Sequence, residues 1–384
     1  MDAAGRRGMS KINLKPAMTL REPQELVAHG LAPAADLAGL EKVAARYAVA
    51  VTPDIAALID TNDPDDPIAR QFIPNLAELM VQPGESADPI GDHVHSPVAG
   101  IVHRYPDRVL FKLVHVCAVY CRFCFRREMV GPGKATALSH SAYRGALDYI
   151  REHREIWEVI LTGGDPLMLS PRRLAEVMAD LAAIDHVRII RIHTRVPVAD
   201  PARISTEMVA ALKVKGATTW VALHANHAKE LTDTARAACA AMIDAGIPMV
   251  SQSVLLRGVN DNAAALEALM RVLVECRIKP YYLHHGDLAP GTAHLRTTLA
   301  EGRELMRALR GRVSGLCQPE YMLDIPGGHG KAPVSPDYLS HANSFSDQNS
   351  FPEGRERPAE TRYRVVDYCG DVHLYPPKPS LSDG

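Results

Sequence analysis

From Val109 to Leu309 the sequence repeatedly alternates short apolar runs with longer amphipathic ones. The short runs are Val109 to Val116, Glu158 to Thr162, Val187 to His193, Thr218 to His224, Pro248 to Leu255 and Lys279 to His284. Between and after them lie Ala142 to His153, Pro171 to Ile184, Ile204 to Val214, Glu230 to Ala245, Ala263 to Cys276 and Ala300 to Leu309, with helical patterning. Strands separated by helices of that length pair in parallel through crossovers rather than as hairpins. Six such units predict an α/β fold, a partial (β/α)6 TIM-like barrel, open rather than closed eightfold. The expected organisation is an N-terminal helical region at 1–100, the barrel at 101–310 and a C-terminal extension at 311–384 that leaves the repeat.

In the first hundred residues, Leu37, Leu40, Val43 and Tyr47 recur at helical spacing, and Thr52-Pro53 makes an N-cap with a first-turn proline. Asp63 to Pro67 breaks the pattern, Ile68 to Phe72 starts another short helix, and Pro83 to Pro97 reads as loop. This region reads as a scaffold without chemistry. Near the other end, Ser335 to Pro358 is polar and broken by Pro and Gly, a composition of loop or disorder. Arg362 to Tyr375 alternates as a short hairpin does.

Composition narrows the partners. A hydrophobic fraction of 47% supports a large core, and a net charge of −2 gives nucleic acid or a membrane surface no purchase. Met1 to Pro16 lacks the apolar stretch of a signal peptide, and no run approaches a membrane span. Seven cysteines, an odd and mostly scattered set, fit a reducing cytoplasm rather than a disulfide framework.

Chemistry in such barrels gathers where the strands end. Directly after the first strand come Cys117, Cys121 and Cys124, spaced Cys-x3-Cys-x2-Cys. A four-iron cluster has four corners, so three thiolates leave one iron open to a substrate or cofactor. The alternatives are a zinc site short of one ligand, or buried thiols that happen to cluster. The second strand ends in Gly163-Gly164-Asp165-Pro166, a turn able to present main-chain N–H groups to a charged cofactor end, although such a turn is also ordinary loop chemistry. The other strands end in His193-Thr194-Arg195, in His224 and in His284-His285-Gly286-Asp287. Lys331, flanked by Gly327, Gly328 and Gly330, suits a Schiff base with pyridoxal phosphate as well as it suits a plain surface turn.

The cysteine triplet after a first barrel strand resembles the radical S-adenosylmethionine superfamily. The run His103 to Leu110, the triplet followed by Phe125-Arg126-Arg127, the Gly-Gly-Asp-Pro-Leu turn, Gln252 to Asp261 and Pro326 to Lys331 together resemble the lysine 2,3-aminomutase family. That resemblance implies a [4Fe-4S] cluster on Cys117, Cys121 and Cys124, with S-adenosylmethionine on the open iron. It implies that Gly163, Gly164 and Asp165 hold the cofactor's amino group, with Gln252 near the adenine and His224 at the rim. It further implies pyridoxal phosphate on Lys331, with Arg104 and Arg108 on its phosphate. Arg126 would bind the substrate carboxylate, and Asp287 and Asp324 the side-chain ammonium of lysine. The implied reaction is conversion of L-lysine to β-lysine through a 5′-deoxyadenosyl radical, with an electron donor such as flavodoxin or ferredoxin and a homo-oligomer as further expectations.

Two departures qualify the resemblance. Founding members join an Asn-Asp-Cys to a C-terminal cysteine cluster through zinc; here Asn262 replaces that cysteine and the tail offers only Cys369, so zinc is not expected. The triplet region is also shared with relatives that modify a lysine of elongation factor P, and Asp324 with the Pro326 to Gly330 approach favours free lysine over that reading. Aminomutation of another amino acid, and an iron–sulfur redox sensor, complete the alternatives.

Overall fold

The structure is a computed structural model, and it describes residues 18–129, 136–341 and 363–375. Its main sheet has nine strands: β1 (Ile101–Tyr105), β2 (Arg108–Val114), β3 (Glu158–Gly163), β4 (Ile189–Thr194), β5 (Thr218–His224), β6 (Met249–Val254), β7 (Lys279–His284), β8 (Glu320–Ile325) and β9 (Gly330–Pro333). The crossover helices are α1 (His140–Glu152), α2 (Pro171–Ala182), α3 (Thr206–Leu212), α4 (Asp233–Asp244), α5 (Ala263–Glu275) and α6 (Leu299–Leu309). All six strands read from the sequence are present, within two residues at each end.

Two features extend the pattern. β1 and β9 are antiparallel edges of a linear strand order, so the sheet is an open barrel rather than a closed one. The seam between them is bridged by a side chain: the Lys331 N–H on β9 donates to the Tyr105 hydroxyl on β1 at 2.7 Å. The repeat also runs one unit further than the sequence suggests. β8 pairs in parallel with β7, with α6 as its crossover. Its residues, Glu-Tyr-Met-Leu-Asp-Ile, include one β-branched side chain, and that weak local signal hid a strand held by its neighbours.

Each crossover helix starts on a capping side chain. Ser139, Ser170, Ser205, Thr232, Asn262 and Thr298 accept from the N–H of Ala142, Arg173, Met208, Ala235, Ala265 and Glu301, each worth about 1 kcal/mol. Between helices and sheet the core is apolar, with Leu147, Leu174, Val159, Leu161, Ile190, Ile192, Val221 and Leu223 fully buried. The N-terminal segment forms short helices at Leu37–Ala44, Pro53–Ala56 and Ala69–Phe72, and Thr52 caps the second as expected. It is more than a scaffold, because it sends Gln71, Glu78 and Asp92 into the region of the strand ends as buried polar groups. A small antiparallel sheet follows the barrel: β10 (Leu339–His341), β11 (Tyr363–Val366) and β12 (Val372–Tyr375). Its last two strands are the expected hairpin. Most of the Ser335 to Pro358 stretch lies outside the described residues.

Candidate active site

The cysteine loop leaves β2 and is fastened from beneath. Glu78, Arg122 and Arg127 have no exposed side-chain surface. Arg122 Nε donates to both Glu78 oxygens at 2.9 and 3.1 Å, and Arg127 pairs with the same carboxylate. Arg127 also donates to Gly291 O at 3.1 Å and lies 3.6 Å over the Tyr47 ring. Main-chain bonds from Tyr120 to Ala50 and from Arg122 to Gln71 complete the attachment. A buried ion pair must be geometrically tight to offset its desolvation, and this one fixes both ends of the Cys121–Cys124 turn.

Burial pushes all three thiols up, Cys121 to about 11, while Arg195, which donates to Cys121 Sγ at 3.7 Å, works in the opposite sense. Thiols in such surroundings stay protonated until a metal's charge replaces the lost hydration. Cys121 and Cys124 both raise Cys117, and Cys124 raises Cys121, so the three lie within electrostatic reach. Among the described residues no three His, Cys, Asp or Glu side chains converge closely enough to hold a single ion. Three thiolates on one short loop match three corners of a four-iron cluster.

The Gly163–Asp165 turn packs directly on this loop. Gly163 has φ +110°, and a Cβ on Gly164 would sit 2.3 Å from Val116 O. The Gly164 and Asp165 N–H groups donate to Val114 O and Val116 O. The expectation that they present N–H groups to a ligand is therefore corrected: those two donors are spent on the end of β2 and on the residue before Cys117, which leaves acceptors as what such a turn can offer, and acceptors suit an ammonium. The Asp165 carboxylate faces inward. It takes bonds from Thr194 Oγ1 and the N–H of Leu167, Arg195 and Val196, tying β3 to the end of β4.

Lys331 and Asp324 face each other across β9 and β8, and their side chains form an ion pair. His284 Nδ1 lies 3.6 Å and Arg104 Nη1 3.8 Å from the same carboxylate. Burial pushes Asp324 up, but the adjacent His284 imidazole and the Lys331 charge outweigh it and hold the carboxyl well below its usual range. Asp287 is driven the other way, to about 7, by burial and then by Asp324 nearby, against Lys331 and Arg126. Two carboxylates beside one amine are thus pushed apart in acidity, which marks a functional site. Arg108 stands further off: it pairs with Asp107 and stacks 4.0 Å over Tyr105, whose hydroxyl touches the Lys331 backbone.

Arg126 is held by Asp92, with Nε at 3.1 Å and Nη2 at 3.0 Å from Oδ2. Arg104 reaches the other oxygen at 3.2 Å, and Lys112 Nζ lies 3.9 Å from Oδ2. His224 and Gln252 are register neighbours on β5 and β6; His224 stacks on Phe123 at 5.5 Å, and Gln252 meets His193 Nε2 at 3.0 Å. The nominated residues thus fall at the strand ends, except Arg104 and Arg108, which flank the β1–β2 turn, and Lys331 on β9. Asn262 serves as the α5 cap, and Cys369 lies in the exposed β11–β12 turn. The sequence reading missed Asp92, Lys112 and Glu78. Lys112 had a signal, being the one charge in the run Val109 to Val114. The two acids had none, lying in loop and 3-10 segments read as scaffold.

The sequence model of the Radical SAM superfamily matches residues 111–269. The L-lysine 2,3-aminomutase of Clostridium subterminale is 42% identical over 78% of this chain and 72% of its own length. That of Acetoanaerobium sticklandii is 40% identical over 79% and 73%. The glutamate 2,3-aminomutase of Clostridioides difficile is 37% identical over 78% and 70%.

Proposed function

The chain belongs to the lysine 2,3-aminomutase family of the radical SAM superfamily, and from that premise we propose that it isomerises L-lysine to β-lysine by moving the amino group from C2 to C3. The observation that carries the choice of substrate is the charge layout around Lys331. Asp324 is paired with the Lys331 ammonium and Asp287 lies within its electrostatic reach, while the Arg126 guanidinium, held by Asp92, also acts on Asp287. A dicationic amino acid with one carboxylate fits acids at one end and a guanidinium at the other. A glutamate side chain would meet those two acids and be repelled.

The [4Fe-4S] cluster with S-adenosylmethionine supplies a 5′-deoxyadenosyl radical, and pyridoxal phosphate supplies a delocalising ring at the migrating nitrogen. The protein's part is to hold and orient. Cys117, Cys121 and Cys124 bind three irons, and Glu78 steadies their loop through Arg122 and Arg127. The Gly163–Asp165 turn would accept from the ammonium of S-adenosylmethionine, with Gln252 toward its adenine and His224 at the rim. Lys331 would hold pyridoxal phosphate, with Arg104 and, once released from Asp107, Arg108 for its phosphate. Arg126 fixes the substrate carboxylate, and Asp287 with Asp324 fixes its distal ammonium. Pinning both ends limits rotation and sets one β-hydrogen toward the radical. Flavodoxin or ferredoxin in a reducing cytoplasm fits as electron source, and no described helix is long and apolar enough to cross a membrane.

The test is anaerobic reconstitution with labelled lysine, S-adenosylmethionine and a reductant. β-Lysine and 5′-deoxyadenosine are expected, and Lys331→Ala should abolish turnover while keeping the iron. Normal turnover by Lys331→Ala, or modification of elongation factor P with free lysine untouched, would overturn the reading.

A further inference from the structure

Lys112 is a buried cation for which the site as described has little use. It is 6% exposed, on β2, in an otherwise apolar run. Its ammonium has three donors, and its nearest carboxylate oxygen, Asp92 Oδ2, is 3.9 Å away, beyond hydrogen-bond reach. That oxygen already takes two bonds from Arg126, and Arg104 occupies the other oxygen of the same group. Three cations therefore share one carboxylate. Burial pushes Lys112 down, with Asp92 and more weakly Asp88 resisting and Arg126 adding to the push. A little-exposed ammonium with no carboxylate at hydrogen-bond distance is costly, and a further anion beside it relieves the cost. Lys112 and Arg126 approach the same Oδ2, so an anion seated beside that oxygen meets both.

We propose that Lys112 is a specificity-determining residue that binds the α-carboxylate of the amino-acid substrate together with Arg126, while Asp92 positions both cations. This rests on the aminomutase reading above and adds a ligand to it. The pair Arg126–Lys112 then presents a fork and a point charge to one carboxylate, and an amide at that position loses both charge-assisted contacts.

Equilibrium binding of labelled L-lysine and of lysinamide to reconstituted wild type and Lys112→Met tests it, alongside steady-state kinetics. The variant should weaken lysine binding and raise its KM about tenfold to a hundredfold, change kcat less, and bind lysinamide as wild type does. Pyridoxal phosphate content after desalting should be unchanged. Equal lysine binding in both proteins overturns the proposal. So does loss of pyridoxal phosphate with the lysine-to-lysinamide preference intact, which would assign Lys112 to the cofactor phosphate. If wild type makes no β-lysine, the aminomutase reading fails by itself, and the binding comparison still decides the role of Lys112. Should Lys112→Met not fold, Lys112→Gln carries the same comparison.

Discussion

Asp324 and Lys331 occupy opposed positions on β8 and β9, and the acid of one holds the amine of the other. The strand register thus brings together the proposed cofactor lysine and one of the two acids proposed for the substrate. A group that takes the Lys331 amine must first release it from Asp324, and the freed carboxylate is then available to a new ammonium. On the proposed reading the same acid would serve two cations in turn.

Asp324→Asn should separate these roles. The amide keeps the volume and loses the charge, so the barrel should fold and load iron normally. Lysine turnover should fall by about tenfold to a hundredfold, the worth of one charged contact, and the absorbance of bound pyridoxal phosphate should shift. Product analysis with parallel iron and absorbance measurements checks it; unchanged turnover would count against the contact.

The clamp beneath the cysteine loop makes a prediction about stability. Glu78→Gln leaves two buried guanidinium groups without their carboxylate. Breaking one partner of such a buried set costs about 3–5 kcal/mol. Chemical denaturation of the iron-free protein should show that loss, and reconstitution should yield less iron per chain. Wild-type stability would mean that the arginines find other acceptors.

The fold was legible where the sequence repeats itself, because periodic apolar runs are a local signal that every crossover reinforces. β8 was not, since its place is set by β7 and α6 rather than by its own composition. For the site, Cys117, Cys121, Cys124 and Lys331 stood out through unusual neighbours in the chain. Asp92 and Glu78 could not, because their meaning comes from partners distant in sequence: Glu78 lies 44 residues from Arg122, and Asp92 lies 34 from Arg126. The Gly163–Asp165 turn was found but its polarity was misread, since only the packed structure shows which N–H groups are already bonded.

Gly164→Ala tests that packing. The added Cβ would lie 2.3 Å from Val116 O and 2.6 Å from Val116 N, both backbone atoms with little freedom to move. Overpacking of this kind costs about 1–3 kcal/mol, and the strain falls on the residue before Cys117. Thermal unfolding should show the loss, and S-adenosylmethionine binding to the reconstituted protein should weaken more than lysine binding. Equal weakening of both ligands would show a general loosening instead of a local one.

Asp287 gives the pH dependence. Its carboxyl is raised from 3.8 to about 7 in the folded protein, so the folded state holds a proton that the unfolded chain has released. The stabilisation is complete below about pH 4 and declines as pH rises toward 7. At about 1.4 kcal/mol per tenfold change in proton affinity, the decline is capped at about 4 kcal/mol. Asp287→Asn has no such proton to lose, so between pH 5 and 8 the stability of wild type relative to the variant should decline as pH rises, whatever the buried histidines contribute to both. Function runs the other way. Only the ionised acid attracts the distal ammonium of lysine, so kcat/KM for lysine should rise through about pH 7 in wild type. In Asp287→Asn that rise should disappear and the activity should stay low throughout. Denaturation and kinetic profiles of both proteins over the same pH range check both limbs, and stability profiles that run parallel in wild type and Asp287→Asn would show that Asp287 is ionised in the folded protein from the start.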